Sequence, residues 1–169
     1  MLEMFYPDEY LDSTYSIDFE RLYQKGYRGI LFDIDNTLVP HGAPADDRAK
    51  ALFERLRNIG FQCCLISNNQ LPRVKPFADE VGALFLEDAH KPSRKGYQLA
   101  IKKMGTTTEN TLFVGDQLFT DVYGARRTGI TSILVKPIHP KEEIQIVLKR
   151  YLEKIVLFFY KRKCKKCKV

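Results

Sequence analysis

Apolar residues along this chain fall into short unbroken runs, separated by stretches with helical spacing. GILFD, residues 29–33, is one such run, and it ends in an acid. FQCCLI (61–66), ALFL (83–86), TLFV (111–114) and ITSILV (130–135) repeat the form. Between the first two, Ala49, Leu52, Phe53 and Leu56 recur every three or four residues, which predicts a helix over 46–59 ended by Gly60. A second helix is predicted over 71–81, opening near Pro72, with Pro76 leaving its start open. A third, over 93–104, carries Tyr97, Ala100, Ile101 and Met104 on one face, and a short fourth covers 121–128 and stops at Gly129. Strands alternating with helices at this spacing predict an α/β fold with a doubly wound, Rossmann-like parallel sheet. The unbroken runs fit, because strands of such a sheet are buried on both faces.

Beyond residue 140 the pattern changes. Ile144, Val147, Leu148, Tyr151, Leu152, Ile155, Phe158 and Phe159 recur at helical spacing, with Lys149, Arg150, Glu153 and Lys154 between them. The expected organisation is one domain over 1–140, including an N-terminal extension over 1–28, then an amphipathic helix and basic tail over 141–169. The simpler reading through Ile155 packs the apolar stripe on the sheet. A second reading lays the helix on an anionic membrane surface, where each basic residue contributes about 1 kcal/mol. From Val156 to Lys168 the two readings stand level.

Composition narrows the classes. A chain of 169 residues, 44% hydrophobic and 28% charged, is an ordinary globular protein of one domain. No stretch reaches the roughly 18 apolar residues of a spanning helix. MLEMFYPDEYLDSTY lacks a basic start followed by an apolar core, so the chain is expected to stay in the cytosol. The net charge of +6 is accounted for by Lys161, Arg162, Lys163, Lys165, Lys166 and Lys168, and residues 1–160 sum to zero. No basic face suited to nucleic acid is visible. Cys63 and Cys64 lie in an apolar run and read as core residues, whereas Cys164 and Cys167 form a CxxC in the tail. A zinc site there needs two more ligands, and His41, His90 and His139 are far off in sequence.

The chemistry starts at Asp33-Ile34-Asp35. Two like charges at the mouth of a buried strand repel each other and resist desolvation, so folding alone does not favour them. In open parallel sheets ligands bind beyond the carboxyl ends of the strands. Polar residues collect there: Asp33 after the first run, Ser67-Asn68-Asn69 after the second, Lys91 after the third and Asp116 after the fourth. Asp33 and Asp116 suit a hard cation such as Mg2+. Lys91, Ser67 and the Asn68 amide offer a cation and neutral donors to phosphate oxygens, although asparagines placed like Asn68 and Asn69 more often make turn hydrogen bonds than substrate contacts. Together these make an electrostatic clamp for phosphoryl transfer. Asp33 is placed to attack phosphorus, and Asp35 to protonate the leaving oxygen and then take a proton from water.

DIDNTL, a strand ending in Ser67, Lys91 before Pro92, and GDQLFTD (115–121) together resemble the four motifs of the haloacid-dehalogenase superfamily of phosphatases. The resemblance implies Asp33 as nucleophile and Asp35 as general acid/base, with Ser67 and Lys91 on the phosphoryl group. It implies a metal held by Asp33, the Asp35 carbonyl and Asp116, with Asp121 in support. The motif order separates the chain from receiver domains, which carry their phosphoacceptor on the third strand. PDEYLDSTYSIDFERLYQKGYRGILFDIDNTLVP, SNN, KPSRKGY and GDQLFTDVYGARRTG resemble the YqeG-like family of subclass IIIA, related to the mitochondrial phosphatidylglycerophosphate phosphatases. That implies a phosphomonoester substrate, a lipid phosphate first among candidates, and the basic tail, read on its own charge, adds peripheral contact with an anionic membrane at its inner face. A broad small-molecule or nucleotide phosphatase, or a scaffold with weak turnover, are the alternatives. About twenty residues separate DIDNTL from the second strand, too few for a cap domain, so an open site is expected.

Overall fold

A computed structural model describes residues 2–139 and 144–166 of the chain. Six strands form one parallel sheet: β1 (Glu9–Leu11), β2 (Gly29–Phe32), β3 (Gln62–Ile66), β4 (Leu84–Leu86), β5 (Thr111–Gly115) and β6 (Thr131–Val135). Their order is β1-β6-β5-β2-β3-β4. The chain runs outward from β2 through β3 to β4, then crosses back to β5 on the other side of β2. The switch point of this doubly wound sheet therefore lies between β2 and β5.

Helices α1 (Phe19–Gln24), α2 (Asp47–Ile59) and α3 (Leu71–Val81) cover one face, and α4 (Arg94–Met104) and α5 (Tyr123–Thr128) the other. The period of two in β2 divides its side chains between two cores. Ile30 and Phe32 meet Phe19, Phe53 and Phe77, while Leu31 meets Tyr97, Phe113 and Ala125. Each such buried side chain contributes about 1.5–3 kcal/mol. Helix α2 starts where Asp46 accepts the Ala49 N–H at 2.7 Å and stops at Gly60, whose φ of +112° favours glycine. Cys63 and Cys64 are buried, as expected for core residues.

Three features depart from the sequence reading. First, the sheet has a sixth strand, β1, within what was expected to be an extension. Its three residues carry no apolar run, since it is an edge strand with Glu9 in water. It is held by pairing with β6 and by Asp8, which accepts from the Ser132 N–H at 2.8 Å and its hydroxyl at 3.0 Å. Second, Leu118–Val122 forms a π-helical turn before α5, so the short helix does not begin at Asp121.

Third, α6 (Ile144–Lys166) does not pack through its apolar stripe. Leu148, Tyr151, Leu152, Ile155, Phe158 and Phe159 are exposed, while Glu153 and Val156 are buried. The helix seats Val156 and Leu157 among Leu118, Val122, Leu134, Tyr6 and Tyr10. Tyr6 also stacks edge-on with Tyr160. The reason is local: the groove beside β6 presents a buried backbone N–H and a buried aspartate, which demand polar partners. No helix among the described residues is long and apolar enough to cross a membrane. Cys167, Lys168 and the expected boundary near residue 140 lie outside the described residues.

Candidate active site

Three neighbouring strand ends converge at the switch point. Asp33 is the first residue after β2, Ser67 the first after β3, and Asp116 the first after β5. All three are buried. Past Asp33 the chain turns sharply. Thr37 and Leu38 donate N–H groups back to the Ile34 carbonyl, and Asn36 sits at φ +61°, which asparagine tolerates better than most residues. The N-terminal segment supports this loop from outside. The Thr14 hydroxyl donates to the Thr37 carbonyl at 2.8 Å and the Tyr15 hydroxyl to the Leu38 carbonyl at 2.6 Å.

Lys91 reaches into the site from the loop between β4 and α4. Its ammonium donates to Asp33 Oδ1 at 2.6 Å and Asp121 Oδ1 at 2.8 Å. Asn68 fixes the Lys91 backbone with a reciprocal pair, donating to its carbonyl at 3.2 Å and accepting its N–H at 2.6 Å. The Asn68 side chain thus seats the lysine. Ser67 Oγ accepts the Asn69 N–H at 3.0 Å, as a turn serine does.

Asp121 is held by the π turn. Its other oxygen accepts the Gln117 N–H at 3.1 Å, and the buried Tyr97 hydroxyl contacts the carbonyls of Thr120 and Asp121. Gly115 explains the G of GDQLFTD: a Cβ there would collide with the Asp121 carboxylate.

Oxygens of Asp33, Asp116 and Asp121 lie within 4.8 Å of one another, all three buried. Burial pushes the Asp33 carboxyl up to about 6, with Asp121 and Asp35 adding to the rise and Lys91 opposing it. Burial and the nearby Asp33 hold Asp116 well above the usual carboxylate range, against the pull of Arg150. For Lys91, burial works against the charge, but Asp121 and Asp33 outweigh it and keep the ammonium protonated. Such a trio carries more negative charge than its neighbours neutralise. Its all-oxygen donor set fits a hard divalent cation.

The Asp35 carboxylate points elsewhere. It accepts from the Gly42 N–H at 2.7 Å, Asn69 Nδ2 at 2.7 Å and Arg73 Nη2 at 2.8 Å. Its carboxylate therefore lies outside the acidic trio. Asp33, Asp35, Ser67, Asn68 and Lys91 share an open cavity of about 310 Å³. No domain is inserted over it between β2 and α2. His41 lies on a loop and lines the same cavity with Gln117, Thr120 and Lys149.

Sequence reasoning missed the partners of Asp116. The Thr37 hydroxyl donates to Asp116 Oδ1 at 3.1 Å. Arg150 of α6 pairs with Asp116 Oδ2, and its Nη1 donates to the Asp116 carbonyl at 2.5 Å and Glu153 Oε2 at 2.9 Å. Glu153 Oε1 accepts the buried Leu118 N–H at 2.7 Å. One sequence signal existed: Glu153 is the single acid in a helix rich in lysine and arginine.

The chain's relatives bear on this geometry. The family model for haloacid dehalogenase-like hydrolases matches residues 41–129, just over half of the chain. A probable phosphatase, YqeG of Bacillus subtilis, is 36% identical over 165 residues, covering 96% of both chains. Phosphatidylglycerophosphate phosphatase 1 of Arabidopsis thaliana is 30% identical over 162 residues, covering 86% of this chain and 44% of the plant protein. In fold, the chain is similar to a cobalt-bound deoxy-D-mannose-octulosonate 8-phosphate phosphatase from Haemophilus influenzae. That match has a TM-score of 0.51 at 14% identity and covers 67% of this chain and 80% of the other. The chain therefore belongs to the haloacid dehalogenase-like hydrolases, in the family of the YqeG-type phosphatases.

Proposed function

We propose that this chain is a Mg2+-dependent phosphomonoester hydrolase working through an aspartyl-phosphate on Asp33. The observation that carries the reading is Lys91, buried between Asp33 and Asp121 beside Asp116. A lysine and a nucleophilic carboxylate in contact, next to a cation-binding trio, are what a phosphoryl group needs on three sides.

Asp33, the Asp35 carbonyl and Asp116 would hold Mg2+, with Asp121 in support. Such an ion would supply positive charge for the phosphoryl oxygens and would favour the ionised form of Asp33. Asp33 Oδ attacks phosphorus and the bond to the ester oxygen breaks. Asp35 gives its proton to that leaving oxygen. In the second step Asp35 takes a proton from water, the hydroxide attacks phosphorus, and inorganic phosphate leaves with Asp33 restored. Lys91 and Ser67 bind phosphoryl oxygens throughout. Gly42, Asn69 and Arg73 fix the orientation of the Asp35 carboxylate beside the cavity.

A lipid phosphomonoester, phosphatidylglycerophosphate first, is the substrate we infer, on the name of the plant relative and the open cavity. The basic tail would hold the protein peripherally at an anionic membrane, on its cytoplasmic face. The test is phosphate release with and without Mg2+, from the lipid in mixed micelles and from soluble sugar, nucleotide and aryl phosphates. Asp33→Asn should lower release at least about 10³-fold, the order expected when a nucleophile is removed. Release that survives this substitution would sink the mechanism. Release from soluble esters alone would remove the lipid.

A further inference from the structure

Helix α6 presents to water a face that elsewhere in the molecule would be core. Leu148, Tyr151, Leu152, Ile155, Phe158 and Phe159 are all exposed, Leu148 to 65% and Ile155 to 55%. At about 3.6 residues per turn they share one side of the helix. Arg150, Glu153 and Val156 occupy the opposite side and fix it to the body. The rotation of α6 is thus set by buried polar contacts, and the apolar face cannot turn inward without breaking them. An exposed apolar strip of this length marks an interaction site.

Charge says what covers it. Lys149 borders the strip on one edge and Lys154 on the other, with the Lys154 ammonium over the Tyr151 ring, and Arg162 lies near its end, with its guanidinium 5.2 Å from the Phe158 ring centre; Lys161 and Lys163 lean back over Tyr10 and Tyr6, and Lys163 pairs with Glu3. The only acid of α6, Glu153, is on the buried side. An apolar strip bordered on both edges by cations matches the boundary between acyl chains and anionic headgroups. Pairing with a second copy would bring like-charged edges together. We infer that the outer face of α6 lies flat on an anionic lipid bilayer, in the membrane plane, with its aromatic residues at headgroup depth.

This goes beyond electrostatic attachment through the tail. It gives the attachment a hydrophobic component and an orientation. Lys149 stands on the edge of the strip and also lines the phosphate cavity, so docking in this way sets the cavity mouth beside the headgroups. The inference deepens the lipid-phosphate reading above, but the docking itself does not require turnover.

The chain contains no tryptophan, so a single introduced indole reports its own surroundings. In the full chain, Leu152→Trp should shift its emission to the blue with vesicles of phosphatidylcholine and phosphatidylglycerol, and be quenched by lipids brominated near the glycerol end of the acyl chain. Leu99→Trp, at an exposed position of α4, should show neither effect. Ile155→Gln with Phe159→Gln should lower the vesicle-bound fraction at least tenfold, while hydrolysis of a soluble aryl phosphate stays unchanged. Absence of quenching at Leu152→Trp, or equal vesicle binding by the double variant, would overturn the proposal. So would a lipid-free dimer, measured by sedimentation, that the double variant dissociates. Quenching at Leu152→Trp without hydrolysis of any ester would uphold docking and reject the phosphatase reading.

Discussion

Helix α2 buries Ala49, Leu52, Phe53 and Leu56 and turns Lys50, Glu54 and Arg55 to water. Helix α6 buries Glu153 and Val156, tucks Arg150 against Asp116, and turns Leu148, Leu152 and Ile155 to water. Both carry an apolar stripe at helical spacing. They differ in what lies beneath them. Under α2 is a sheet face of Ile30, Phe32 and Leu65, where any polar group would be stranded. Under α6 are an orphan N–H at Leu118 and the carboxylate and carbonyl of Asp116, which are costly to bury without partners. Polar satisfaction outweighs the gain from burying the stripe, and α6 is inverted as a result. The comparison teaches that a stripe identifies a helix, while the surface below it decides which side is inside.

The comparison is sharpened first by truncating one residue on each helix. Phe53→Ala should cost about 3–5 kcal/mol, the range for an aromatic lost from a packed core. Leu152→Ser should cost no more than about 0.5 kcal/mol, as for an exposed position. Urea unfolding of both variants checks this, and a cost at Leu152 near that at Phe53 would mean that α6 faces the other way. The next largest effect is at the polar anchor of α6. Arg150→Ala leaves Asp116 and Glu153 buried without their cation. Breaking such a pair costs about 3–5 kcal/mol when fully buried, and its partial exposure to solvent reduces this to about 2–3 kcal/mol. Added Mg2+ should recover part of the loss, because a cation near Asp116 replaces the guanidinium; thermal melts with and without the ion read the difference.

The smallest effect is a pH slope. Asp33 has its folded-state pKa raised to about 6 from 3.8. Between those values the folded state binds the extra proton, so stability falls as pH rises. In metal-free protein the loss from this group amounts to about 2 kcal/mol between pH 4 and pH 6. The slope should be shallower in Asp33→Asn and in wild type with Mg2+. A metal-free wild type whose stability rises through that window no more slowly than Asp33→Asn would contradict the burial of Asp33 as the cause.

Much of the site was legible because its residues sit at strand ends. Asp33, Ser67 and Asp116 each follow an apolar run, and a parallel sheet brings such ends to one edge. Lys91 followed from its place after the third run. The role of Asn68 was not legible, because seating Lys91 depends on two backbone atoms of a loop distant in sequence. Strand β1 was invisible because an edge strand of three residues needs no apolar pattern. Thr37 stood within the quoted motif, but its hydroxyl gains meaning only when β5 brings Asp116 beside it.

The sequence by itself determined the alternation of strands and helices, the acids at the strand ends and the apolar stripe of α6. These follow from local periodicity and from the side chains' own chemistry. Only the tertiary structure decided how the π turn holds Asp121 against Asp33 and Asp116, that Lys91 lies between Asp33 and Asp121, and that Arg150 faces inward while Leu152 faces water. Each depends on which buried polar groups come together at a distance along the chain, and that is settled when the surfaces meet.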